Sequence, residues 1–350
     1  MSNSDDLLDV LLVGYGAVGV MYTYFLENSK RARVTVVARG NYSLVQDKGI
    51  NIESGRLGNH AAWKPYRIFG SVSDAADRQY HYVVVTTKAL PDVLPTSRLL
   101  SPLLAAEYKF PQPTYVLAQN GLGVEDDLYA AAKRTRSHEP IIITGAVFLD
   151  ASLTDSRDGL VQGTMEKLVV GLYVGETAPP PAPDAVASLQ TFVDVMKQGG
   201  SNASMAENIQ YEKFMKNRWN AVVASLCTLA RQPPPAMSLT PKLEEIVEGP
   251  LHGTLQELSA LGQALGYPVT EEDARFLTDR TLRGFSKTSP HLPSMLVDVQ
   301  RGSPLEVEVI IGALVRLGKK YKVSMPRMEL IYALLSIIQV QNLQKDGLKV

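Results

Sequence analysis

DVLLVGYGAVGVMYTYFLE, residues 9–27, changes its periodicity halfway along. Val10 to Val13 form a short continuous apolar run, the pattern of a strand covered on both faces in a parallel sheet. Gly14, Gly16 and Gly19 follow as G-x-G-x-x-G, and Val20, Tyr24 and Phe25 then recur at helical spacing. Strand, glycine bend and helix in that order open a dinucleotide-binding sheet. Gly14 serves the tight turn, Gly16 lets backbone approach a pyrophosphate, and Gly19 lets helix lie close on strand. Tyr15, Ala17 and Val18 complete the bend. The helix start offers unpaired N–H groups and the positive end of a dipole, which suit a diphosphate. The competing reading is a structural glycine turn, which the flanking strand and helix make the weaker one.

The next strand, Arg33 to Ala38, ends at Arg39-Gly40-Asn41. A site for NAD usually carries Asp or Glu there to accept from the ribose 2′-hydroxyl, whereas arginine holds a 2′-phosphate. Arg39 and the missing acid favour NADPH/NADP; the bland alternative is a solvated loop arginine. Further along, Tyr82 to Thr87 and Tyr115 to Ala118 read as strands, ending at Lys88 and at Gln119-Asn120-Gly121. Ligands of open α/β sheets lie beyond the carboxyl ends of the strands. Lys88 and Asn120 therefore become cofactor-side candidates, although a lysine after a strand is commonly solvated and Asn-Gly is a common turn pair.

A chain of 350 residues exceeds one ordinary core and fits two domains. With 45% hydrophobic and 20% charged residues it has the composition of a globular protein, and a formal net charge of −1 gives no reason to expect nucleic acid or an anionic membrane as partner. No apolar run approaches the roughly 20 residues of a membrane span, and MSNSDDLLD lacks the basic start of a targeting signal. A cytoplasmic setting is the expectation. Cys227 is the only cysteine, in AVVASLCTLA, and reads as a packing residue rather than a nucleophile. His60, His81, His138, His252 and His291 show no metal-ligand spacing, so no metal is expected.

The α/β pattern continues through a short helix at 41–49, a strand pair up to Arg67, and strands at 141–149 and 168–173 flanking a polar turn, Ser152 to Gly159. TAPPPAP, residues 177–183, reads as a stiff surface segment. An amphipathic helix at 185–197 puts Val186, Leu189, Val193 and Met196 on one face. The domain boundary is placed after it, giving 1–200 as a Rossmann-type doubly wound sheet and 201–350 as an all-α domain. In the second part, helices are expected at 211–231, stopped by Pro233-Pro234-Pro235, and at 242–265, 271–286, 306–321 and 326–342.

A nucleotide domain needs a partner that supplies acid–base chemistry. In KFMKNRWN, residues 213–220, Lys216 and Asn220 are one helical turn apart and share a face. Glu306 is read at a helix start, where the dipole alone accounts for a carboxylate; the sharper reading pairs it with Lys216.

Taken together, GYGAVG, Thr87-Lys88, Gln119-Asn120-Gly121, the K-x-x-x-N of Lys216 and Asn220, and Ser294 with Glu306 twelve residues on resemble the ketopantoate reductase family. The similarity covers most of the chain, and the order and separation of the motifs are jointly specific. The resemblance implies an NADPH-dependent 2-dehydropantoate 2-reductase, or a relative, acting on a small 2-oxo acid in a cleft between a Rossmann and a helical domain. It gives Arg39 the 2′-phosphate and sets Lys88 and Asn120 near nicotinamide and substrate. Lys216 becomes the catalytic lysine, Asn220 and Ser294 substrate ligands, and Glu306 an active-site carboxylate. Where the family commonly has a second asparagine one turn beyond the first, this chain has Ala224. A paralogue reducing another 2-oxo acid and a non-catalytic NADP(H) sensor therefore stay open. The segment 152–159 and the proline stretch look longer than the family core requires. The apolar last helix, 328–338, suggests a homodimer.

Overall fold

The computed structural model describes residues 7–135, 138–175, 178–239, 241–284, 292–345 and 347. The chain divides into two compact units: residues 1–88, 94–119 and 124–212, and residues 89–93, 120–123 and 213–350.

The first unit is built on one mixed sheet of strands β1 (Leu8–Val13), β2 (Ala32–Val37), β3 (Ile50–Ser54), β4 (Gly58–Trp63), β5 (Arg67–Phe69), β6 (Tyr82–Val85), β7 (Thr114–Leu117), β8 (Ile142–Leu153), β9 (Gly159–Leu172) and β10 (Ala203–Met205). Their order is β4-β3-β9-β8-β7-β6-β1-β2-β5, with β10 on β9. β1 lies between β2 and β6, parallel to both, so the chain turns one way after β1 and crosses to its other side for β6. That reversal of strand order is where open α/β sheets hold their ligands. The apolar run behind the glycine bend is explained by its cover, since Val10, Leu11 and Leu12 are wholly buried. The helices Ala17–Asn28 and Pro183–Gln198 contribute Phe25, Leu26, Phe192, Val193 and Met196 to the same core. This half is a Rossmann-type fold extended by antiparallel pairs at β3–β4 and β8–β9.

Three sequence expectations change. The polar turn is shorter than Ser152 to Gly159, because Ser152 and Leu153 already pair with Val161 and Leu160. Val186 is 51% exposed; in the first turn of its helix Ala185 takes the inward position, one residue earlier on the wheel. The first unit also runs past residue 200, since β10 adds to the sheet through Ala203↔Leu168, and two segments that follow strand ends, 89–93 and 120–123, belong to the second unit.

Among its described residues the second unit has no strand. The helix expected at 211–231 is observed as Ile209–Trp219, a π-helical stretch Asn220–Ala224, and Ser225–Ala230, ending at Arg231 with φ +57. A second π stretch, Val247–Gly253, contains Pro250, which cannot donate to a regular ladder. It leads into Thr254–Ala264. Glu271–Gly284 follows, and the end expected for it at 285–286 lies outside the described residues. Ser294–Arg301 is a further helix, short and preceded by Pro293, that is absent from the sequence expectations. A third π stretch, Glu308–Gly312, precedes Ala313–Tyr321, and the chain closes with Pro326–Lys345. Val222, Val223, Leu255, Leu258, Ile311 and Leu335 are buried in this unit.

Candidate active site

In the first unit each glycine of the bend sits in a different steric environment. Gly14 has φ +104 and hands its N–H to the Val37 carbonyl at 3.0 Å. A Cβ there would stand 2.7 Å from the Thr87 nitrogen and 2.8 Å from Thr87 Cγ2. A Cβ on Gly19 would lie 2.0 Å from the Gly14 carbonyl oxygen, so helix and bend touch backbone to backbone. Around Gly16 a Cβ would meet nothing within 4 Å. The bend is fixed from behind by the Thr86 hydroxyl, which donates to the Gly14 oxygen at 2.5 Å, and from the side by Asn41 Nδ2, which donates to the Tyr15 oxygen at 3.1 Å. Tyr15 itself is buried, and removal from water raises its phenol above the usual range. Ala17 and Val18 are half-buried.

The helix Ala17–Asn28 has no side-chain cap and no acid in its first turn. Its N–H groups thus face the open space over Gly16 without a competing carboxylate, and a pyrophosphate fits there. Arg39 is exposed at the end of β2, and no described residue pairs with it. Lys88 is exposed beyond β6.

In the second unit the geometry brings together three of the expected residues and one that was not expected. Glu306 is 6% exposed. Its Oε1 accepts from the Ala89 N–H at 3.0 Å and its Oε2 from Asn120 Nδ2 at 3.2 Å. Asn120 Oδ1 in turn accepts from Lys216 Nζ at 2.7 Å. The result is a relay from ammonium through amide to carboxylate, with Glu306 reaching Lys216 by way of Asn120. Asn120 is set in place by its neighbours. Gly121 has φ +88 and would drive a Cβ to 2.6 Å from Val309, while Leu122 N–H donates to the Val309 carbonyl at 2.8 Å. The segment holding Ala89 is tied by Asp92, which accepts from Gln339 Nε2 at 2.9 Å.

Removal from water pushes the Lys216 ammonium down to about 8; Glu306 pulls it back upward and Lys213, only 3% exposed, pushes it lower again. A lysine so placed exchanges a proton near neutral pH. Asn220 is half-buried at the start of the π stretch, and its amide has no hydrogen bond among the described residues. Ser294 is exposed in the first turn of its helix, and no hydrogen bond joins it to the relay. Ala224 is buried, as is Cys227, whose thiol burial pushes up to about 12. The contribution of Ala89 was not legible, because a backbone donor leaves no trace in side-chain identity. No described group of three or more His, Cys, Asp and Glu is arranged to hold a metal.

A Rossmann-type bend in one unit and a proton-exchanging relay in the other are the features of a dinucleotide-dependent oxidoreductase. Comparison with known proteins makes this specific. Residues 10–173 match the family described as "Ketopantoate reductase PanE/ApbA", and residues 208–339 match "Ketopantoate reductase PanE/ApbA C terminal". An uncharacterized protein of Saccharomyces cerevisiae is 28% identical over 97% of this chain and 96% of its own. The crystal structure of 2-dehydropantoate 2-reductase from Methylococcus capsulatus superposes with a TM-score of 0.75 and 25% identity, covering 96% of this chain and 98% of that one. The same fold is seen in a ternary structure of D-mandelate dehydrogenase with NADH and anilino(oxo)acetate, with a TM-score of 0.75 at 18% identity, covering 98% and 100% of the two chains. The chain belongs to the ketopantoate reductase family, and it is an oxidoreductase of that family.

Proposed function

We propose that the protein reduces a 2-oxo acid to the 2-hydroxy acid at the expense of NADPH, with 2-dehydropantoate as the first substrate to consider. The observation that carries this reading is the relay of Lys216, Asn120 and Glu306. A bound nicotinamide supplies the hydride to the carbonyl carbon. The Lys216 ammonium donates a hydrogen bond to the ketone oxygen, stabilises the negative charge that develops there, and gives it the proton. The neutral amine left behind is reprotonated from solvent. Asn120 keeps Nζ directed, and Glu306 holds Asn120 and favours the charged lysine. Asn220 and Ser294 serve the remainder of the substrate.

For the cofactor, we assign the pyrophosphate to the residues of the glycine bend, the nicotinamide to Lys88 and Asn120, and the 2′-phosphate to Arg39. Arg39 at the end of β2, with no acid beside it, supports NADPH over NADH. Ala224 in place of an amide supports a substrate set wider than 2-dehydropantoate, because a site missing a polar partner rejects analogues lacking that contact less strongly. The test is steady-state oxidation of NADPH and of NADH with 2-dehydropantoate and a panel of aliphatic and aromatic 2-oxo acids. Turnover with any of them supports the reductase, and the preferred acid names the substrate. Tight NADPH binding without turnover across the whole panel supports a nucleotide sensor instead.

The helix Pro326–Lys345 exposes Leu330 (61%), Leu334 (41%) and Ile337 (58%) along one stripe. Such a stripe suits a second copy of the chain as its cover. Sedimentation of wild type as a dimer and of Leu334→Asp as a monomer is the expected result. A monomeric wild type removes this reading.

A further inference from the structure

The turn between β8 and β9, residues 154–158, is a hairpin tip that reaches the end of β2. Thr154 organises the tip: its oxygen accepts from Arg157 N–H at 2.9 Å, its N–H donates to the Gly159 oxygen at 2.9 Å, and its hydroxyl accepts from Gly159 N–H at 3.1 Å. Asn51 N–H donates to the Asp158 oxygen at 2.9 Å, which continues the β3–β9 ladder into the tip. Within this frame Arg157 adopts φ +59, a left-handed conformation that non-glycine residues take uncommonly. The frame thus imposes a direction on its side chain.

The guanidinium lies over Gly40, with Nη1 2.6 Å from where a Cβ on Gly40 would stand. Gly40 directly follows Arg39. The adjacent carboxylate, Asp158, is already taken up by the hydroxyls of Thr154, at 3.0 Å, and Ser156. Neither Arg157 nor Arg39 has an ion-pair partner among the described residues, and both are exposed. Two guanidinium groups thus stand at the carboxyl end of the second strand without an anion of the protein's own. A dinucleotide's adenosine ribose lies at this strand end in such sheets, and a 2′-phosphomonoester there carries more than one negative charge, so a second guanidinium adds to its hold.

We infer that Arg157 is a second specificity residue for the phosphorylated cofactor, clasping the 2′-phosphate from the hairpin side while Arg39 holds it from the strand side. The inference rests on the proposed use of NADPH. Gly40 belongs to the same device, because any side chain there occupies the place of the guanidinium.

Calorimetric titration of the intact protein with NADPH and with NADH, with no substrate present, tests the assignment. Arg157→Ala should weaken NADPH binding by about 10- to 100-fold, the range for charge-assisted hydrogen bonds to a phosphate, and leave NADH within about twofold. Arg157→Lys should recover only part of the loss, since an ammonium lacks the planar fork. Gly40→Ala should act in the same direction as Arg157→Ala, because its new methyl group meets only the mobile end of a side chain. An unfolding temperature equal to wild type confirms that each exposed-site variant is folded. If wild type prefers NADPH and Arg157→Ala keeps that preference, the role of Arg157 is overturned while the NADPH reading stands. If wild type binds both cofactors alike, both are overturned.

Discussion

Asn120 has an amide whose two ends cannot be exchanged. Glu306 only accepts and the Lys216 ammonium only donates, so Nδ2 must face the carboxylate and Oδ1 the lysine, as observed at 3.2 and 2.7 Å. Glu306→Gln disturbs this order, because the new amide has one acceptor end where Ala89 N–H and Asn120 Nδ2 both donate. It also removes the charge that holds the lysine up. With a Lys216 acid near 8, turnover should fall above about pH 8 in wild type, and the falling limb should move to lower pH in Glu306→Gln. A pH–rate profile with an unmoved limb removes Glu306 from any influence on the acid. Lys216→Ala should lower kcat by about 10²–10⁴-fold, the usual contribution of a positioned acid, with cofactor binding retained. Turnover within a few-fold of wild type in that variant would show that another group gives the proton. The grouping of Lys216, Asn120 and Glu306 was legible because side chains make the contacts that join them. Ala89 was not, since only its N–H takes part, and Ser294 was named from family likeness alone and stands outside the hydrogen-bonded group.

The glycine bend separates two effects that usually travel together. A Cβ at position 19 runs into backbone at 2.0 Å, so Gly19→Ala has to move helix against strand and should lower the unfolding temperature markedly. Gly16 has ordinary negative φ of −83 and free space, so Gly16→Ala should cost about 1 kcal/mol or less as a change of N-cap. If the open space over Gly16 takes the pyrophosphate as proposed, dinucleotide affinity should nevertheless fall, by about tenfold or more, because the methyl group fills it. Thermal unfolding and calorimetric titration of the same sample decide the matter: equal affinities in wild type and Gly16→Ala would leave the bend as structure only. Most of these elements were readable because a short unbroken apolar run and a 3.6-residue period differ plainly over β1 and the helix after it. The π stretches were not, since one extra residue in a turn follows from tertiary packing and, at Pro250, from a missing donor rather than from any change in the apolar pattern.

For the complete chain, Lys216 links function to stability. Its folded value of about 8 lies below the usual lysine value of about 10.4, so between these pH values the unfolded chain binds more protons and stability rises with pH. Denaturant unfolding of wild type, referred to Lys216→Met as the variant lacking the group, should show wild type gaining ground from pH 8 to 10. A constant difference would mean that the lysine is not held out of water in the native state. The division into an α/β and a helical part was visible in the change of pattern, but its position was not. β10 is a three-residue strand, too short to read, and the segments 89–93 and 120–123 are loops in sequence whose contacts with the second unit run to Glu306, Val309 and Gln339.

Those contacts bear on how such a protein can be taken apart. A fragment begun at Lys213 would carry the amine and the acid yet leave behind the amide and the peptide group that orient them, since both are encoded upstream. Grafting the helical half onto a foreign nucleotide module would therefore strip the lysine and the carboxylate of the contacts that join them, unless two short upstream loops were spliced in with it.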